Sequence, residues 1–149
     1  LADGDNTRLC LANTIKVGKS MPALASISVN DAESTPVAHV YSPVTTDGTL
    51  AKFANRDAAT PAGFETLSID VRTPTAPSAA YRVIAKGNDP VEATVDGQTV
   101  VVHNSSFELT LNFSQKSSAQ ERKNLVKKIA NLLIHTTFVS VAENVEPIY

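Results

Sequence analysis

The sequence predicts an α+β protein in which an antiparallel sheet is laid down first and helix is confined to the C-terminal end. Two observations carry this. Three stretches between residues 64 and 115 alternate apolar and polar residues at period two, the mark of strands with one covered face. Directly after the last of them the period changes: Leu125, Val126, Ile129, Leu132 and Leu133 recur at helical spacing. The stretch ELTLNFSQKSSAQERKNLVKKIANLL, residues 108–133, holds both patterns in succession.

The first third of the chain offers strand candidates at RLCLAN, ALASISV and VAHVYSP, separated by Gly18, by NDAEST and by TTDG. Pro22, Pro36 and Pro43 mark some of them as edge strands or loops, because proline cannot donate to a ladder. The central pattern is cleaner. In FETLSIDVRTP, Leu67, Ile69 and Val71 face one way and Ser68, Asp70 and Arg72 the other. In AAYRVIAKGN, Tyr81, Val83 and Ala85 oppose Arg82, Ile84 and Lys86. In FELTLNFSQ, Phe107, Leu109, Leu111 and Phe113 oppose Glu108, Thr110 and Asn112. Strands of this kind suit an antiparallel sheet with one covered and one wet face. The long connection between the last two carries a turn signal at Asp96-Gly97, which extends both strands as a hairpin arm.

Ser118 followed by Glu121 forms a capping box, pairing amides that a helix start leaves open. From there to about His135 the helix is roughly 25 Å long at about 1.5 Å per residue. Its five large apolar residues span about a third of the circumference, with Lys123, Lys127 and Asn131 opposite. TTFVSVAENV forms a second short helix before Pro147 ends it. An amphipathic helix needs an apolar surface to lie on, and which surface that is decides the function.

Length suits one domain, and a net charge of −2 advertises no global affinity for nucleic acid. Cys10 is the only cysteine, so neither an intrachain disulfide nor a thiolate zinc cluster can form. His39, His103 and His135 have no partner at metal-ligand spacing. Hydrolase, P-loop and dinucleotide motifs are missing, so catalytic and metal sites are read as none and the protein as no enzyme. No apolar run approaches the ~20 residues that span a bilayer, and the N-terminal stretch has no signal-type core. The reading is of a soluble protein, not exported by a standard route. Arg122, Lys123, Lys127 and Lys128 read as a solvated outer helix face. The set Arg72, Arg82 and Lys86, projecting from one side of one sheet, is the better candidate for RNA.

The ordered C-terminal features carry a resemblance. A strand ends in Phe113-Ser114-Gln115, and Ser118 with the pair Glu121-Arg122 opens the helix. Leu132-Leu133 lies near the helix end, and the chain stops on Pro147-Ile148-Tyr149. Upstream, AKFANRDAATPAGFETLSIDVRTP and AAYRVIAKGNDP follow in the same order. Over about residues 37–149 the chain resembles the coat proteins of single-stranded RNA bacteriophages, the leviviruses, and is most similar to the Qβ type. The resemblance implies an N-terminal β-hairpin, a five-stranded antiparallel sheet and two C-terminal helices, with subunits intertwined as a dimer. The single coat domain then divides into an N-terminal extension or hairpin region (1–36), sheet strands (37–115) and helices (118–149).

The function so implied is a capsid protein. Homodimers assemble into an icosahedral, T=3 shell packaging single-stranded genomic RNA, and binding of a genomic hairpin represses translation. The virion is the location and the bacterial cytoplasm the place of assembly. No cofactor and no membrane partner is implied. The RNA-facing positions that match the family are Ser68, Asp70, Arg72, Arg82, Lys86 and Glu108. The family's RNA-stacking tyrosine is Ser106 here, and Ile84 and Asp70 replace neutral polar residues. Leu125, Ile129 and Leu132 are the expected dimer contacts. The connection 87–105 corresponds to the loop that gathers at the shell's symmetry axes, and it lacks the cysteines of the Qβ type. A stand-alone dimeric RNA-binding module that forms no shell is the alternative.

Overall fold

The computed structural model describes residues 24–76 and 79–147. Six strands run β1 (Ile27–Asn30), β2 (Ala38–Asp47), β3 (Leu50–Asn55), β4 (Glu65–Arg72), β5 (Tyr81–Val95) and β6 (Gln98–Phe113). Two helices follow, α1 (Ala119–Leu133) and α2 (Thr136–Asn144). Strand order in the sheet is chain order, and every neighbouring pair is antiparallel.

β2 is shared between two units. Its first four residues pair with β1 as a hairpin, Ile27 opposite Tyr41 and Asn30 opposite Ala38. From Ser42 onward it pairs with β3, so β2 to β6 form a five-stranded sheet. The hairpin plus five-stranded sheet plus two helices is the architecture expected from sequence. β1 falls within residues 1–36, so the hairpin straddles the boundary drawn at residue 37. Periodicity does not reveal β3: LAKFAN is short and its alternation is blurred by two alanines. The candidate strand RLCLAN, and Cys10 with it, lie outside the described residues.

The connection 87–105 is ordered throughout as ladder. β5 and β6 stay paired from Tyr81 opposite Phe113 out to Val95 opposite Gln98, with one register shift at Val91/Glu92. Asp96 and Gly97 close the arm with φ of 50° and 78°. Left-handed values at both turn residues match the twist of the flanking strands, which is why Asp-Gly stands there.

Residues opposite one another in a ladder share a face. Phe53, Leu67, Gly87 and Phe107 form one cross-strand row, and Ala51, Ile69, Ala85 and Leu109 the next. Val71, Val83 and Leu111 form a third. This is the apolar face that alternation predicts. Within one subunit it is poorly covered: Val71 is 40% and Tyr81 39% exposed. Among the described residues the buried apolar side chains are Phe53, Ala54, Ile84 and Phe113, none of them completely.

The helices explain this. Ser118 accepts from the Glu121 amide at 3.2 Å, and Glu121 accepts from the Ser118 amide at 2.6 Å, so the capping box forms as expected. Gln115 donates to the Ala76 and Ala79 carbonyls, both at 2.8 Å, tying the helix approach to the β4–β5 connection. Past that anchor α1 packs against α2, and neither packs along the sheet of its own subunit. No residue of either helix is buried.

Candidate nucleic-acid interface

The face opposite the apolar one holds all six residues expected to meet RNA, arranged in rows across the strands. Ser68, Lys86 and Glu108 stand opposite one another, and Asp70, Ile84 and Thr110 form the next row. Arg72, Arg82 and Asn112 form the third. Adjacent rows are about 7 Å apart, twice the rise per strand residue. Strand register alone converts six positions scattered from residue 68 to residue 108 into one patch.

Pairing within the patch is specific. Lys86 Nζ lies 2.9 Å from Glu108 Oε2, straight across the β5–β6 ladder. Arg72 Nε donates to Asp70 Oδ2 at 2.8 Å, and the Thr49 hydroxyl donates to the other Asp70 oxygen at 3.0 Å. The Arg72 bond first, and then the Thr49 bond, hold the Asp70 carboxyl below its ordinary range. Arg82 Nε donates to Asn112 Oδ1 at 3.2 Å, a neutral partner that leaves its charge uncompensated. Ile84 is buried on this polar face, with Arg82 and Lys86 at i−2 and i+2 on the same side. Long basic side chains cover apolar surface with their methylene stems while the charged ends stay in water.

One residue of the patch escapes sequence reasoning. Lys52 on β3 stands opposite Ser68, so it continues the Ser68–Lys86–Glu108 row, and it makes no ion pair among the described residues. With it the patch carries four cations, Lys52, Arg72, Arg82 and Lys86, against two carboxylates, Asp70 and Glu108. The chain as a whole is acidic by two charges. A local excess of positive charge on one face of an acidic protein can hold a phosphate backbone where the rest of the surface repels it. The signal for Lys52 lies only in the register of a strand that alternation does not reveal.

Beyond these rows the face continues in uncharged polar side chains. Thr66, Asn88 and Ser106 form a further row, and Asn104 donates to Asn88 at 2.6 Å. Among the described residues no group of His, Cys, Asp and Glu has metal-binding geometry. Among the described residues no single helix is long and apolar enough to cross a membrane.

The expected dimer contacts sit on a bare helix. Leu125 is 38% and Leu132 56% exposed, and Ile129 between them is half-buried. Val126 and Leu133 on the same arc are exposed as well.

The family model described as levivirus coat protein matches residues 22–149. A chain of the virus-like particle of Beihai levi-like virus 21 superposes with a TM-score of 0.77 at 28% identity, covering 86% of this chain and 99% of that one. The virus-like particle of bacteriophage ESE058 gives 0.75 at 24% identity, covering 86% and 100%. The protein capsid of bacteriophage GA shares the fold at 15% identity, with a TM-score of 0.70 and coverage of 85% and 98%. No curated protein sequence matches significantly.

Proposed function

The chain belongs to the levivirus coat protein family, a structural rather than enzymatic one, and from that premise we propose that it dimerises, assembles into an icosahedral shell and packages single-stranded RNA against the polar face of its sheet. The observation that carries this is the apolar arc of α1, which faces water in the isolated subunit. A 15-residue helix is marginal in water by itself. Fully covering one Val, Leu or Ile contributes about 1.5–3 kcal/mol, so Leu125, Val126, Leu132 and Leu133, all exposed, with Ile129 only half-buried, are the chief unmet demand of the subunit.

A second copy of the chain supplies the cover. Among the described residues β6 is the last strand of the sheet and runs 16 residues with one edge unpaired, a long open edge of the kind soluble proteins normally block. Two β6 edges pairing antiparallel about a two-fold axis extend the sheet across both subunits. That brings the apolar face of each subunit beneath the helices of the other, with Leu125, Ile129 and Leu132 at the contact. A subunit built in this way has no stable folded monomer.

The polar face then lies on the side away from the helices and turns inward. Lys52, beside Ser68, and Arg82 neutralise phosphates, and Arg72 and Lys86 do so in competition with Asp70 and Glu108, the carboxylates that pair with them. Genome-hairpin binding that represses translation is part of the same proposal, through the same rows. Assembly takes place in the bacterial host cytoplasm and the product resides in the virion. Electron microscopy of the purified chain, with nuclease-protected RNA measured in parallel, tests it. Closed shells containing RNA are expected. Dimers that bind RNA but never form shells would identify a stand-alone module instead.

A further inference from the structure

Where β2 leaves the five-stranded sheet, a side-chain link takes over from the ladder. The β2–β3 pairing begins at Ser42 opposite Ala54, so residues 38–41 pair with β1 alone. In that segment His39 reaches across to β4: its Nδ1 lies 2.8 Å from Glu65 Oε1. On the other side of the ring, Nε2 lies 3.5 Å from Asp31 Oδ2 in the β1–β2 turn. Asp31 in turn closes its own turn, accepting from the Val37 amide at 2.9 Å and the Glu33 amide at 3.2 Å. Glu65 is further held by Asn55, a buried side chain of β3 that donates at 3.5 Å.

A neutral imidazole carries one N–H, so between two carboxylates one of its nitrogens would turn a lone pair toward an anion. Only the imidazolium satisfies both sides. We propose that Asp31, His39 and Glu65 form a proton-operated latch that fixes the N-terminal hairpin to the sheet and loosens as His39 loses its proton.

The other groups facing this link agree with a cation at its centre. Tyr41, on the same strand, has its hydroxyl pushed up, first by burial and then by a hydrogen bond to Glu65 and the charges of Glu65 and Asp89. It is therefore a neutral neighbour across the working range. Asp57 and Glu92 line the same hollow, and Glu92 is engaged by the Ala59 and Thr60 amides at 3.1 Å. Among the described residues no basic side chain borders it, so nothing there competes with His39 for the carboxylates. The Glu65 hydrogen bond is the largest influence raising the imidazole above its ordinary value, and burial opposes it. A group raised on folding stabilises the attached state fully below its unfolded value of about 6.5, and that contribution is lost as pH rises through the folded value. The latch is closed in acid and opens toward alkaline pH.

Hydrogen–deuterium exchange on the full chain, in the assembly it forms, reads the latch directly from about pH 6 to about pH 9. After correction for intrinsic rates, amide protection in residues 27–41 should fall relative to that of β4 to β6 as pH rises. The fall should be about tenfold for each unit by which the link raises the imidazole. His39→Gln should flatten the profile, and Glu65→Gln should move its midpoint to lower pH. A His103→Asn/His135→Asn double variant, with His39 intact, should keep the wild-type profile. Wild-type protection independent of pH would overturn the latch, and so would a profile abolished by the double variant or preserved in His39→Gln.

Discussion

Lys86 and Glu108 stand directly opposite one another on β5 and β6, with Nζ and Oε2 2.9 Å apart, on the face of the sheet that carries the positive patch. Both side chains are more than half exposed, so the pair adds little to stability. Its consequence is for binding: the carboxylate occupies an ammonium that a phosphate would otherwise take. Glu108→Gln should therefore tighten RNA binding and steepen its salt dependence by up to about 0.7 units of log–log slope, the effect of neutralising one further phosphate of a single strand. Affinity titrations at several salt concentrations measure this. Unchanged affinity and slope would remove Lys86 from the interface.

Arg82 and Lys86 share the polar face two rows apart, whereas Lys123 and Lys127 lie on α1 opposite its apolar arc. Arg82→Ala/Lys86→Ala should weaken RNA binding and flatten the salt slope by about 0.7 for each phosphate that is no longer neutralised. Lys123→Ala/Lys127→Ala should do much less. The same titrations, run on both double variants, decide between the faces. A larger effect from the helix pair would invert the orientation assigned to the sheet.

Ile129 lies at the centre of the bare arc of α1. Ile129→Asp puts a charge where the partner's sheet should sit, and burying an unpaired carboxylate is costly enough to prevent association. Loss of dimers and of shells, seen by light scattering and analytical ultracentrifugation, is the expected result. A folded variant with unchanged particle size would refute the clasped-helix dimer.

Phe107 lies across the strand pair from Gly87, and its ring occupies the space a β-carbon on Gly87 would need. Gly87→Ala should cost no more than about 1 kcal/mol, the low end of overpacking, because Phe107 is 57% exposed and its ring can swing aside. Thermal unfolding at matched subunit concentration checks the destabilisation. Adding Phe107→Ala should recover part of it, since the two changes act on one crowded spot. Additive effects would mean that the ring is not what excludes the β-carbon.

Much of this protein was legible in one dimension. Period-two alternation in β4, β5 and β6 named the residues of each face, because a pleated strand sends successive side chains to opposite sides whatever its neighbours do. The Ser118–Glu121 cap and the Asp96-Gly97 turn are likewise local: each depends on backbone geometry a few residues long. Tertiary structure decided what depends on residues far apart meeting. Register put Lys52 beside Ser68, matched Lys86 to Glu108 rather than leaving it free, and the folded sheet buried Ile84 on a face read as wet. It also joined Asp31, His39 and Glu65, three residues from a turn and two non-adjacent strands, through contacts that no spacing in the sequence encodes. The apolar arc of α1 was visible from the start. That its own sheet leaves it bare became clear only when the chain was folded, because an amphipathic pattern states that a surface must be covered without stating by which chain.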